Sequence, residues 1–391
     1  MINSIIVGVL FILGLQGCDR PKSSGSRKSI TEAVLQDPMS HGNRLVRYST
    51  VSNRLACLSD MQLNDLLKGA TQLSVGYGEN VTLSVDGVPV FIKKIPLTDL
   101  ELRPENIRST ANIFHLPTFY QYGIGSAGFG AWRELAANVM ATNWVLTGQC
   151  ENFPIMYHFR VLPGLMPKGD EIEQEEEIKE SVEFWDNAPA VGKRLQAMAN
   201  SSNFLVIFFE SIPTMLGTWL DEQFTKGPDA VDVTALMIEK NLEATTKFMV
   251  DHDMYHFDAH FSNIMTDGCR LYFADMGLAT STLFDLSPEE IAFVHHHKTY
   301  DQFYTRANLA GELIQRLTKS REEFKRMIAQ YGSGKQDMIF SPTVTAMLKK
   351  YAPSAMLRDD FFGQLRKVSK STPYPAQAIE ALYAAPVAKK R

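Results

Sequence analysis

Residues 256 to 263 read His256-Phe257-Asp258-Ala259-His260-Phe261-Ser262-Asn263, and residues 274 to 277 read Ala274-Asp275-Met276-Gly277. Between them, Leu271 to Ala274 is apolar and β-prone, and Asp267-Gly268 is a turn signal. Two short strands joined at that turn would bring Asp258, Asn263 and Asp275 to one edge. Oxygen ligands of this kind suit hard Mg²⁺, which takes few protein groups and brings phosphates with it. Asn263 and Asp275 are therefore candidate metal ligands. Asp258 is a candidate to orient an attacking hydroxyl and accept its proton.

Working outward, a long helical period runs over Val231 to Val250, ahead of this segment. Phe204 to Phe209 is a continuous apolar run and predicts a buried strand, broken after it by Ser211-Ile212-Pro213. Tyr157 to Leu162 predicts another strand. Trp132 to Leu146 predicts a helix with Trp132, Leu135, Ala136 and Val139 on one side. Val81 to Val85, Asp86-Gly87 and Val88 to Ile95 read as a hairpin, because Asp-Gly supplies positive φ for a tight turn. Residues 99 to 130 hold no clean period. Residues 169 to 186 are strongly acidic and read as a solvated helix face or a mobile insertion. Pro288 to Ala381 is mainly helical. The order, strands with one helix and then helices, predicts an α+β chain with a β-rich front and an α-rich back.

The pattern HxDxxxxN followed by DxG resembles the catalytic loop and metal-binding motif of the protein-kinase superfamily. With His260 two residues after Asp258, the loop is closer to aminoglycoside- and choline-kinase-like members. Eukaryotic protein kinases usually carry Arg before the Asp and Lys two after it, where this chain has Phe257 and His260. The resemblance implies a bilobal fold, ATP and Mg²⁺ as cofactors, and a hydroxyl-bearing acceptor, a protein Ser/Thr or a small molecule. It also implies a lysine on the third strand, and Val90-Phe91-Ile92-Lys93 supplies it, with Lys94 as the fallback on the opposite face. It implies a glycine-rich turn before that strand. Gly76-Tyr77-Gly78 keeps two glycines, and Val81 stands where the third would be. It implies a helix glutamate paired with the lysine, for which Glu134 is the candidate, with residues 99 to 130 as an insertion. Glu210-Ser211-Ile212 resembles the hinge whose backbone meets the adenine edge. His260 is a candidate contact to substrate or metal alongside a purely structural role, and His256 reads as a buttress of the loop. Almost the whole chain from about Leu67 onward can be laid on this plan.

Several features argue for other readings. Gly123-Ile124-Gly125-Ser126-Ala127-Gly128 matches GxGxxG ahead of a helix. A dinucleotide site, and with it a nicotinamide-dependent oxidoreductase, would need that turn inside a βαβ unit, and no such repeat surrounds it. We read the loop as an insertion lying over nucleotide or substrate, with a phosphate role at the helix N-terminus left open. His295-His296-His297 is a poor chelate, since adjacent helix residues face different ways. Ser287-Pro288-Glu289 is a loose echo of the A-P-E element of protein kinases. A pseudokinase acting as a binding module is the main non-enzymatic alternative.

The chain has 391 residues, with 44 Asp and Glu against 39 Lys and Arg and a net charge of -5. No general basic field exists, so nucleic acid is not an expected partner. Cys18, Cys57, Cys150 and Cys269 form no CxxC pair, which excludes a disulfide scaffold and a zinc site and fits a reducing compartment. Residues 5 to 15 are apolar and lead into Leu15-Gln16-Gly17-Cys18, which resembles a bacterial lipobox. Met1 to Ser4 contains no Lys or Arg, whereas Arg20, Lys22, Arg27 and Lys28 follow the apolar run. That asymmetry keeps the following chain in the cytoplasm, tethered to a membrane at most through residues 5 to 15. Export with lipidation at Cys18 is the alternative. The expected organisation is an apolar segment and linker (1–29), an N-lobe with insertions (30–212) and a helical C-lobe with the catalytic loop (213–391).

Overall fold

The computed structural model describes residues 37–75, 79–164, 171–334 and 339–384. The apolar segment 5–15, Cys18 and the glycine turn at Gly76 and Gly78 lie outside the described residues. Helices α1 (His41–Ala56) and α2 (Asp60–Lys68) lead into strands β1 (Thr71–Val75), β2 (Glu79–Val85) and β3 (Val88–Leu97). Helix α3 (Ala131–Leu146), strand β4 (Met156–Pro163), helices α4 (Glu171–Phe184) and α5 (Pro189–Ala199) and strand β5 (Asn203–Glu210) follow. The five strands form one antiparallel sheet in the order β1-β2-β3-β5-β4. A largely helical region comes after it, so the architecture is α+β with a sheet-bearing front and a helical back.

The β2–β3 hairpin closes where the sequence predicts. Asp86 and Gly87 both have positive φ, 48° and 80°, as a two-residue turn between twisted strands requires. Strand β5 is apolar from Phe204 to Phe209 because both its faces are covered. Leu205, Ile207 and Phe209 pack with Trp132 and Leu135 of α3. Phe204, Val206 and Phe208 join a core that includes Val51 and Leu55 of α1 and Leu63 of α2. The same alternation in β3 sends Ile92 to the α1 side and Ile95 to the α3 side. Lys93 therefore falls on the side of α3, and Lys94 on the other.

Beyond β5 come β6 (Thr214–Met215), α6 (Leu216–Lys226), α7 (Pro228–Asp251), β7 (Met254–Tyr255), β8 (Ile264–Thr266), β9 (Leu271–Phe273) and β10 (Thr280–Ser281). Helices α8 (Pro288–His296), α9 (Tyr300–Gln315), α10 (Arg321–Gly332), α11 (Pro342–Lys367) and α12 (Ala376–Ala384) complete the described chain. Among the described residues no helix is long and apolar enough to cross a membrane. Among the described residues Cys57, Cys150 and Cys269 form no disulfide.

Helix α3 buries more than the side marked by Trp132, Leu135, Ala136 and Val139: Arg133, Glu134, Asn138 and Thr142 are buried as well. The helix is enclosed in part because residues 99 to 130, which show no sequence period, are packed. Phe114, Leu116, Tyr120, Tyr122, Ile124 and Phe129 form a second core with Trp185, Val191, Phe257, Val294 and Tyr300. Irregular backbone gives no periodic signal even where its side chains are buried. The acidic stretch is, as expected, a mostly exposed helix, α4.

Helix α1 is locked to the end of β5 by a fully buried arginine. Arg44 Nε lies 3.1 and 3.0 Å from the two Glu210 carboxylate oxygens, and Nη2 lies 2.8 Å from Oε2. Its remaining donors reach the carbonyls of Glu151 (2.8 Å) and Phe153 (2.6 Å), and Arg47 adds a 2.7 Å bond to Glu210. Removing one partner of a buried pair leaves the other charge uncompensated. Arg44→Met should therefore lower the unfolding free energy by about 3 kcal/mol in urea denaturation. A loss no larger than that of an exposed pair, under about 1 kcal/mol, would show that the pair does not hold the helix.

Candidate active site

The site begins with one ammonium between two carboxylates. Lys93 Nζ lies 2.7 Å from Glu134 Oε1 and 2.7 Å from Asp275 Oδ1. Three separate elements deliver these groups: β3, the first turn of α3, and the residue two beyond β9. Glu134 is placed by a capped helix start, where the Ala131 N–H donates to Glu101 Oε1 at 2.8 Å. Asp275 is in the left-handed region (φ 55°, ψ 76°), and its carboxylate also accepts the Gly277 N–H at 3.2 Å. A Cβ on Gly277 would sit 3.1 Å from Asp275 Oδ1 and 3.4 Å from Glu134 Oε2, so the glycine keeps the space the triad needs.

Burial acts on all three groups, and the charges decide the outcome. Burial alone would lower the lysine pKa, but Asp275 and Glu134 together raise it, so the ammonium is firmly held. Asp275, half-exposed, is kept below the ordinary carboxylate range by Lys93, against the partial desolvation of its site. Glu134 is pushed up by burial, with Lys93 opposing and Asp275 adding to the rise. Two carboxylates sharing one ammonium leave the cluster with excess negative charge, an environment that favours a cation.

The β8–β9 hairpin, turned at Asp267-Gly268 (Gly268 φ 87°), brings the loop of Asp258 and Asn263 to Asp275. The Ala274 N–H donates to the Asn263 carbonyl at 2.9 Å. Asn263 Nδ2 donates to the Asp258 carbonyl at 3.0 Å and to Asp258 Oδ2 at 2.9 Å. Both bonds of the amide nitrogen go to Asp258, so the amide oxygen is the end offered to a cation. Asp258 Oδ1 is buried and has no hydrogen-bond donor; His260 Nε2, the nearest charged-type group, is 3.7 Å away. Burial first, and then Asp275, pushes the Asp258 carboxyl up to about 7, with the Asn263 bond opposing.

The turn that carries Asp258 is strained and clamped. Phe257 has φ 61°, unusual for an aromatic residue. Asp301, on α9 and fully buried, accepts the His256 N–H at 2.6 Å and the Phe257 N–H at 2.9 Å. Phe257 also stacks on Tyr300 at 4.8 Å. His256 Nε2 donates to the Ala274 carbonyl at 2.9 Å, and its Nδ1 accepts the Asp258 N–H at 3.3 Å. His256 thus ties Asp258 to the strand end that carries Asp275, the buttress expected of it. Asp301 carries no sequence motif; an acid in the first turn of a helix ordinarily reads as a cap. Arg133 and Glu290, paired at 2.8 Å and both buried, were equally silent.

Of the remaining sequence candidates, His260 sits beside Asp258, and the Glu210 and Ile212 side chains lie outside the Lys93 cluster. Glu210 gives its side chain to Arg44 and Arg47 and its N–H to the Ile155 carbonyl (2.8 Å), so its side chain does not line the Lys93 cluster. Ile212 is buried with Met39 and Tyr272. His260 is partly exposed, and its Nδ1 accepts the Ser262 N–H at 3.2 Å. Ser287 and Glu290 form a capping box at the start of α8, which accounts for Ser287-Pro288-Glu289 locally. His297 is buried, and His295 and His296 are exposed. Among the described residues no group of three or more His, Cys, Asp or Glu is arranged to hold a metal.

The GxGxxG loop follows a 3₁₀ turn (Thr118–Gln121) and not a strand, and the sheet beside it is antiparallel. The first amide of the helix after it is already capped by Glu101. The loop instead lies across the site: a Cβ at Gly123 would collide with Asp258 Oδ1, and one at Gly128 with the Gly277 carbonyl. No protein-family model matches the chain, and no curated protein matches it.

Two buried histidines set an acid limit on this arrangement. Burial holds His256 down to about 4 and His297 down to about 3, against an ordinary value of 6.5. Between those values and 6.5 the unfolded chain binds more protons, so this stability is present above pH 6.5 and is lost as pH falls. Asp258 and Asp301, pushed up to about 7 and about 6, act in the opposite sense over this window, so the readout is a difference: between pH 6.5 and 4 His297→Gln should lose less melting temperature than the wild type. An unchanged slope in the variant would mean that His297 is not held neutral.

Proposed function

We propose that this chain is an ATP- and Mg²⁺-dependent phosphotransferase of protein-kinase-like bilobal fold. It would move the γ-phosphoryl group to a hydroxyl of a protein or a small molecule. The observation that carries the reading is the convergence of Lys93, Glu134 and Asp275 at 2.7 Å from three distant parts of the chain. Lys93 lies on the third strand of the sheet and Glu134 on the helix that follows it, as the sequence resemblance implies, and this supports the same reading.

In this mechanism the residues chiefly position and neutralise. Lys93 holds the α/β-phosphates, and Glu134 keeps it extended towards them. The Asn263 amide oxygen and the Asp275 carboxylate fit Mg²⁺, being hard oxygen donors in a cluster with excess negative charge. When bound, Mg²⁺ supplies neutralisation of phosphate charge. Asp258 orients the acceptor hydroxyl and takes its proton on Oδ1, the buried oxygen without a donor. A carboxyl pushed up to about 7 is matched to that task near neutral pH. ATP is a cytoplasmic substrate, so we assign the catalytic part to the cytoplasm, with residues 5 to 15 as a tether.

The test is MgATP turnover, read as phosphate release or as transfer of label to protein or soluble product. Asp275→Ala should lower it by about 100-fold or more with the circular dichroism spectrum retained. Full turnover in that variant would contradict the assignment. A wild-type protein stabilised by MgATP but without turnover would instead be a binding module.

A further inference from the structure

We propose that the Tyr122–Gly128 loop is an acceptor gate, and that Gly123 decides which hydroxyl reaches Asp258. This rests on the phosphotransferase reading and adds to it the control of its acceptor side. One oxygen of Asp258 is closed off in this structure and the other is engaged. Oδ2 accepts from Asn263 at 2.9 Å. Oδ1 is buried without a donor, and Gly123 lies directly over it; a Cβ there would stand 2.9 Å from Cγ and collide with Oδ1. Gly123 does not have a left-handed φ, so its backbone conformation does not demand glycine. The Asp258 carboxylate alone does. A hydroxyl can donate to Oδ1 only when the loop has lifted.

The loop is pinned at both ends, and within it the Ala127 N–H donates to Tyr120 OH at 3.1 Å. Tyr122 OH donates to His297 Nε2 at 2.7 Å, while His297 Nδ1 donates to the Phe293 carbonyl at 2.7 Å, which fixes the tautomer. Gln121 Nε2 donates to the Leu278 carbonyl. At the other end Arg194, buried, donates to the Gly128 carbonyl at 2.6 Å and to the Ala127 carbonyl at 3.4 Å. Between the pins Gly125 is exposed with φ 112°, and a Cβ there would meet nothing within 4 Å. The Tyr122 hydroxyl therefore helps to set how often the middle of the loop lifts from Asp258, and the ring packing sets where it returns.

The experiment uses the full chain, MgATP and no added acceptor, so that water is the acceptor and phosphate release is the signal. Tyr122→Phe keeps the ring and removes the pin. It should raise release by roughly two- to tenfold, the worth of one hydrogen bond, and speed amide exchange over residues 122–128 but not in β3 or α3. Release unchanged or lowered, with MgATP still stabilising both proteins against heat, would overturn the gate and leave the phosphotransferase reading standing. Failure of MgATP to stabilise even the wild-type protein would overturn that reading and the gate with it.

Discussion

The Lys93 ammonium, held 2.7 Å from Glu134 and 2.7 Å from Asp275, is the constraint on which the rest of this molecule depends. An ammonium removed from water needs compensation, and here two carboxylates from different parts of the chain supply it. To satisfy it, β3 must direct Lys93 towards α3, α3 must start where Glu101 caps it, and Asp275 must adopt a left-handed conformation. The two carboxylates outnumber the ammonium, so the solution that stabilises the lysine also creates a place for a cation.

Helix α3 is held in that position from more than one side. Trp132 and Leu135 pack on the sheet, and Arg133 is paired with Glu290 at 2.8 Å on the start of α8. Residues 99 to 130 add the second core, which reaches Phe257 beside Asp258. Glu134 and Asp258 are thus referred to one packed frame. Asp301 plays the matching part for the loop at Asp258, since its two oxygens satisfy two successive amides of a strained turn. Geometry of this kind is held by bonds behind the clustered groups and not by the groups themselves.

How much was legible in the sequence follows from the range of each signal. The β2–β3 hairpin was legible because Asp-Gly and period-two alternation are local, and both appear in the structure. Lys93 was separable from Lys94 once the covered faces of β3 were known. The pairing of Glu134 with Lys93 across an irregular insertion was an expectation from resemblance, and the geometry places the two groups in contact. Asp301, Arg133 with Glu290, and Arg44 with Glu210 were not legible, because a long-range ion pair leaves no local pattern. The packing of residues 99 to 130 was not legible for the related reason that a packed irregular segment has no period. The glycine loop was seen as a motif, but its reason was missed: Gly123 is glycine for want of room against Asp258, a contact 135 residues away in the chain.

The central claim is that one phosphate-binding, cation-binding centre forms around Lys93, Asn263 and Asp275. The most direct measurement is a crystal structure of the full chain with a non-hydrolysable ATP analogue and Mg²⁺. The account predicts the metal at about 2.0–2.1 Å from the Asn263 amide oxygen and an Asp275 oxygen, with Lys93 turned from Asp275 onto the phosphates and still paired with Glu134. An analogue bound elsewhere, with the Lys93–Asp275 contact unbroken, would contradict it.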